Sequence, residues 1–262
     1  MRLNPQRIEL TALPGIPIIQ PGDDLPGIIL HAADEAGLAF QSGDVLVVAQ
    51  KIISKAEGRL VDLQTVTPSQ VAEELANASR KDPRIVELIL RESTEVLRVR
   101  PDLIVVEHRG GFVCANAGID QSNAAAPHGS TSQGPWALLL PEDSDRSAQR
   151  LRDALRTATG ADIAVIISDS HGRAWRLGTV GVAIGVAGLH PLSDLRGRPD
   201  LTGRALQITE VGTADELAAA AGLLMGQAAE GTPAVLVRGA TFIAGEGHLR
   251  EMLRAKEKDL FR

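Results

Sequence analysis

The sequence predicts a protein of mixed helix and strand, of the α/β or α+β class, and three observations predict it. Short β-branched apolar runs, Val45-Leu46-Val47-Val48 and Ile163-Ala164-Val165-Ile166-Ile167, read as buried strands. Segments with helix caps and stops lie between them, such as Asp24 before Leu25 and Gly160 after Thr159. The chain contains no Gly-x-x-x-x-Gly-Lys-Ser/Thr loop and no Gly-x-Gly-x-x-Gly after a strand, so neither a P-loop nor a Rossmann unit is expected.

Taken in order, Ile8 to Leu13 alternates apolar and polar residues, as a half-buried strand does. Two glycine- and proline-bearing loops, Pro14-Gly15-Ile16-Pro17 and Gln20-Pro21-Gly22-Asp23-Asp24, flank the apolar segment Ile16 to Ile19. Such loops hold backbone against a planar ligand or are plain connections. A helix from Leu25 to Gly37 follows, with Asp24 as N-cap. The buried strand at Gly43 to Gln50 emits Lys51, Lys55 and Arg59, which a helix would align; a strand would put the two lysines on one face. Either geometry gathers positive charge beside a strand end, as a phosphate requires, and the alternative is a solvated basic face.

Residues 68–94 read as helical, capped at Thr67 or Ser69 and divided at Lys81-Asp82-Pro83. Val96 to Arg100 and Leu103 to Glu107 read as paired strands, with His108 to Gly111 turning into Phe112-Val113-Cys114, where Cys114 is inert packing. The loop 124–135 has the most flexible composition. Beyond it come a short strand, Trp136 to Pro141, and a helix from Ser144 to Thr159 with Arg150, Arg152 and Arg156 exposed. Thr213 and Glu216 have capping-box spacing and open an alanine-rich helix reaching Met225, whose small side chains imply close packing. Ala234 to Arg238 is the next strand.

With 262 residues, 44% of them hydrophobic, the chain can bury one large core or the cores of two interlocked lobes. No apolar run is long enough to cross a bilayer, and Met1 to Arg7 lacks a signal-peptide core. With a single cysteine added, the expectation is a soluble, cytoplasmic protein with no membrane partner. A net charge of −6 and 2% aromatic residues argue against nucleic acid as a partner. The local basic clusters at 51–59 and 173–176 suit a small anion instead.

The chemistry concentrates in Ile167-Ser168-Asp169-Ser170-His171-Gly172-Arg173, where a carboxylate stands at a strand's end ahead of a polar, glycine-containing turn. It is either a capped turn or a ligand loop. A second polar island, Asn116 to Asn123, brings Asp120; it is an Asx turn or part of a hard-cation site. Asp120 and Asp169 together would suffice for Mg²⁺, which takes one or two carboxylates and completes its shell with water and phosphate. The amide of Gln227 is either solvated at the surface or a supplementary ligand. Nothing in the sequence carries zinc-ligand spacing or a hydrolase nucleophile elbow.

These residues also carry a resemblance. Gly15-Ile16-Pro17, Gln20-Pro21-Gly22-Asp23-Asp24-Leu25, Gln50 to Arg59, Gly118 to Asn123, Ser168 to Arg176 and Gly226 to Pro233 occur in the order seen in the coenzyme F420-0:L-glutamate ligase family (the CofE type), from about residue 8 to residue 245. The resemblance implies an α+β fold of mixed sheets and helices, assembled as an intertwined homodimer. It implies one ligase domain over 1–262, without the nitroreductase-like domain that follows in some members. The implied reaction is GTP-dependent: the terminal carboxylate of coenzyme F420-0 becomes an acyl phosphate, L-glutamate's amine attacks it, and repetition builds a γ-linked tail. This chemistry rests on positioning and charge neutralisation by two divalent cations, Mg²⁺ or Mn²⁺; potassium is an optional third ion.

By the same resemblance, Asp120 and Asp169 are ligands of one metal, Ser170 and Gln227 of the other, and Lys55 joins Asp120 and Asp169 in catalysis. The GTP contacts are Ile16, Pro17, Ile18, Ile19, Gln50, Lys55 and Asn123, with Met225, Gly226, Gln227, Ala228, Ala229, Glu230, Gly231 and Thr232. Some members carry serine at the position of Gln50, and threonine at that of Ser170, which keeps the hydroxyl. His171, Arg173 and Arg176 are assigned to the anionic substrate. Two alternatives stand beside this reading: a nucleotide-dependent acid–amine ligase with another acceptor, and a non-catalytic metal and nucleotide binding module.

Overall fold

The computed structural model describes residues 7–132 and 134–260; the reading that the amino terminus lacks a signal peptide falls, Arg7 apart, outside the described residues. In chain order, β1 (Glu9–Ala12) precedes α1 (Leu25–Glu35), whose first turn is capped by Asp24 accepting from the Gly27 amide. β2 (Val45–Ala49) runs directly into α2 (Gln50–Ala56), then β3 (Leu60–Asp62). Helices α3 (Gln70–Ser79) and α4 (Pro83–Arg91) are capped by Ser69 and Asp82, and Pro83 opens the second. The hairpin strands β4 (Ser93–Arg100), β5 (Leu103–His108) and β6 (Val113–Ala115) follow, then β7 (Trp136–Leu138). Helix α5 (Ser144–Thr159) ends on the left-handed Gly160. It leads to the long pair β8 (Ala164–Arg173) and β9 (Arg176–Ala187). Short strands β10 (Leu189–His190), β11 (Ser193–Asp194) and β12 (Glu210–Val211) precede α6 (Thr213–Met225), β13 (Ala234–Arg238) and β14 (Ile243–Ala244).

The fold is mixed α+β. A five-stranded sheet, ordered β1-β13-β2-β8-β9, is antiparallel except where β2 and β8 run parallel. Smaller sheets pair β4-β5-β6, β3 with β7, β10 with β14 and β11 with β12. Alternation along the central strands divides the apolar side chains between two cores. Leu46, Val48, Val165 and Ile167 pack with residues of α1, α2 and α5; Val45, Val47, Ile166 and Val235 pack with Leu217, Ala218 and Ala221 of α6. A third core gathers α3, α4 and the β4-β5-β6 sheet around Ile85, Val86, Ile89, Ile104 and Val106. Phe112, in the turn before β6, packs against all three cores.

The alanine-rich helix packs as closely as its composition implies: a Cβ added to Gly181 of β9 would lie 2.5 Å from the Ala218 carbonyl oxygen of α6.

Three expectations are corrected. The stretch Ser168 to Arg173 is not a turn but the second half of β8: Ser168 pairs with Ala183, and so on to Arg173 with Arg176, so the chain reverses only at Ala174-Trp175. Turn-forming residues are held extended because β9 supplies the partner backbone. Arg152 is buried, not exposed. It donates to the Ile163 carbonyl at 2.8 Å and pairs with Asp162 at 2.7 Å, because α5 lies across the start of β8. The Thr213–Glu216 capping box does not form. Gly212 is the N-cap, Thr213 lies one residue inside, and its hydroxyl bonds to Ser193 at 2.8 Å.

Candidate active site

At the carboxyl ends of the parallel strands β2 and β8, a cleft of about 510 Å³ opens. Crevices at such strand ends are where open sheets receive ligands, since the chain there leaves the sheet in loops and helix starts. Its walls are the Ile16–Ile18 loop, the start of α2, the outer part of β8, the end of α6 and the 226–233 loop.

Positive charge lines one wall. Because α2 is a helix, Lys51 and Lys55 lie one turn apart on the cleft side, and no side chain caps the helix start at Ala49. Burial first, then the neighbouring Lys51, lowers the pKa of Lys55, and Asp120 offsets this in part. An anion in the cleft would favour the charged form of Lys55. Arg59 leaves this group. It turns to Glu92 at 2.7 Å and to the Leu140 carbonyl at 2.8 Å, because the chain exits α2 before it.

Of the two expected carboxylates only one lines the cleft. Asp169 lines it directly; Asp120 stands behind Lys51, its Oδ2 2.6 Å from Nζ, while its Oδ1 accepts from the Ser122 amide at 2.6 Å. Burial opposes ionisation of Asp120, but Lys51 and Ser122 outweigh it and hold the carboxyl below its ordinary value. On β8 successive side chains alternate faces. Asp169 and His171 share one face, with Nε2 3.0 Å from Oδ2. From the other face Ser170 donates to the Gln227 amide oxygen at 2.8 Å, and Ser168 approaches the Met225 sulfur at 4.0 Å.

The 226–233 loop is shaped by its glycine and its acid. Gly226 has φ +69, and a Cβ there would strike the Glu230 carboxylate. That carboxylate accepts from the Ala228 amide at 2.8 Å, and Thr232 donates to the Leu224 carbonyl at 2.8 Å. Of the residues expected at the site, Ile16, Pro17, Ile18, Gln50, Lys55, Asn123, Asp169, Ser170 and the whole 225–232 segment line this cleft. Ile19 does not: its side chain is buried in the core beneath.

Comparison with known proteins identifies the scaffold. The family model described as F420-0:Gamma-glutamyl ligase matches residues 15–239. The chain belongs to this family. It is 48% identical over 257 residues to the coenzyme F420:L-glutamate ligase of Methanothermobacter thermautotrophicus, covering 97% of this chain and 99% of the relative. The Methanopyrus kandleri protein of the same name is 48% identical over 248 residues, 93% of each chain. That of Archaeoglobus fulgidus is 44% identical over 256 residues, covering 98% of this chain and 97% of its own length.

Within this family member the metal question is one of donor chemistry. Asp120, Asp169, Ser170 and Gln227 offer only oxygen, which suits Mg²⁺ or Mn²⁺ and not a soft cation. Among the described residues no three His, Cys, Asp or Glu side chains converge, so water and phosphate oxygens would complete any shell, as is usual for Mg²⁺. By donor type these residues fit a hard cation shared with a bound phosphate, with Asp120 paired to Lys51 in the absence of one.

Lys51, outside the residues the resemblance assigns to the site, also lines the cleft, and its spacing from Lys55 on a helix is the sequence signal for it. Gly181 and Gly222, which line the cleft where β9 meets α6, gave no signal beyond being small.

Proposed function

We propose that this chain joins L-glutamate to coenzyme F420-0 with GTP as the energy source, through an acyl phosphate, and then extends a γ-linked glutamate tail. The observation that carries the reading is the cleft. It gathers two lysines, Asp169, the Ser170–Gln227 pair and a glycine-shaped loop from segments nearly the whole chain apart, on a chain close to half identical to ligases of that name.

In this reading the triphosphate lies along α2 and the 226–232 loop. Attack of the acceptor carboxylate on the γ-phosphorus brings two anions together, so the barrier is largely electrostatic. Lys51 and Lys55 offset that charge, and the Ile16–Ile18 loop holds the base. Asp120 and Asp169 would hold one divalent cation, Ser170 and Gln227 the other; such ions, when bound, neutralise charge on the transferred phosphoryl oxygens. In the first step an oxygen–phosphorus bond forms and the bond to GDP breaks. In the second the glutamate nitrogen bonds to the acyl carbon, phosphate leaves, and the amine proton passes to solvent. Potassium belongs to the same reading as an optional further ion.

A homodimer is also part of the proposal. Leu177, Leu201 and Ile208 stand exposed on the β8–β9 hairpin and the β11–β12 excursion, apolar surface that a second copy would cover.

An isotope experiment tests the route. With ¹⁸O in the acceptor carboxylate, an acyl phosphate sends one label into the released phosphate. Unlabelled phosphate at full product yield would exclude it.

A further inference from the structure

The imidazole of His171 is turned back onto Asp169. Its Nε2 lies 3.0 Å from Oδ2 of Asp169, two residues back on the same face of β8. The ring is itself held. It packs on Phe112 with centroids 5.7 Å apart, and Phe112 stacks on His108 at 4.9 Å and 14°. His108 is buried and fixed in turn, since its Nδ1 accepts from the Gly110 amide at 2.9 Å. Phe112 packs against all three cores, so this column ties the Asp169 side chain to the close-packed interior.

We infer that His171 is a positioning residue for Asp169. It donates from Nε2 to Oδ2, fixes the carboxylate's rotamer, and leaves Oδ1, which takes no hydrogen bond among the described residues, aimed at a divalent cation. The inference rests on the proposed reading of Asp169 as a metal ligand. Outer partners of ligating carboxylates work in this way: they orient the ligand and limit the rotamers that binding must freeze, and their loss typically costs about 10- to 100-fold in metal affinity. A purely structural histidine predicts a loss of stability with metal affinity unchanged.

The test is Mn²⁺ binding to the purified full chain, followed by electron paramagnetic resonance with and without GTP, in wild type, His171→Leu and His171→Gln. Leucine keeps the apolar contact with Phe112 but cannot donate, whereas the glutamine amide places a donor near the Nε2 position. The expected result is roughly a 10- to 100-fold weaker Mn²⁺ affinity in His171→Leu and substantial rescue in His171→Gln, with both melting near wild type. In turnover, the metal concentration for half activity rises in His171→Leu, while the rate at saturating metal changes far less. If His171→Leu does not fold, glutamine carries the comparison against Phe112→Leu, which loosens the column and keeps the donor; both should bind metal, Phe112→Leu the more weakly. Wild-type affinity in His171→Leu, or equal loss in leucine and glutamine variants, overturns the positioning role. Absence of Mn²⁺ binding by wild type overturns the metal site itself, and the two failures are thereby told apart.

Discussion

Asp120 and Asp169 carry the same charge in different company, and their partners decide what substitution does. Asp120 pairs with Lys51, and Asp169 accepts from His171. Asparagine keeps the shape of either side chain and removes the charge. Lys51 is a third exposed and can turn to water, so the fold should tolerate the change. Asp120→Asn and Asp169→Asn are each expected to bring turnover to background while circular dichroism and melting stay near wild type; turnover near the normal rate in either would remove that carboxylate from the chemistry. His108 sets a different prediction. Burial, reinforced by Arg59, lowers its pKa from 6.5 to about 4, so the folded chain resists a proton that the unfolded chain accepts. The stability contribution is complete above pH 6.5 and is lost as pH falls toward 4, at about 1.4 kcal/mol per unit and roughly 3 kcal/mol in all. Melting curves across that interval should slope less in His108→Asn, which keeps an acceptor for Gly110 without the titration. Equal slopes would show that other groups carry the acid sensitivity.

At the scale of elements, the contact between α6 and β9 depends on having no side chain at Gly181, where a Cβ would meet backbone 2.5 Å away. Backbone cannot swing aside as a side chain does, so Gly181→Ala should cost about 1–3 kcal/mol of stability in denaturant unfolding. A neutral effect would mean that the helix can shift outward freely. The same region shows where local sequence misleads. Ile163 to Ile167 was legible as a strand because its apolar residues face two cores. Ser168 to Gly172 was not, because its residue types favour turns and what holds them extended is β9, which no local pattern reveals. The capping box failed for a similar reason: Ser193 takes the Thr213 hydroxyl from a segment distant in sequence. Arg152 reads as one exposed cation among three until α5 is laid across β8 and the Ile163 carbonyl meets it.

For the whole molecule, the order of helices and strands could be read from caps, prolines and apolar runs, which are local signals. The strand order could not: β13 enters between β1 and β2, and β8 pairs with β2 from more than a hundred residues away. The site divides along the same line. Lys55, Asp169, Ser170, Gln227 and the 225–232 loop were legible as motifs and meet in one cleft, yet only the fold shows Asp120 held behind Lys51, Ile19 sunk in the core and His171 turned onto Asp169. On the proposed reading this cleft makes amide bonds to glutamate at the expense of GTP. Mass spectrometry of a reaction of the purified chain with F420-0, L-glutamate, GTP and Mg²⁺ or Mn²⁺ tests it most directly. The expected products are heavier than F420-0 by successive glutamyl residues and form only when GTP and the divalent cation are both present. Unchanged F420-0 from a folded, metal- and nucleotide-loaded protein, or extension without GTP, would contradict it.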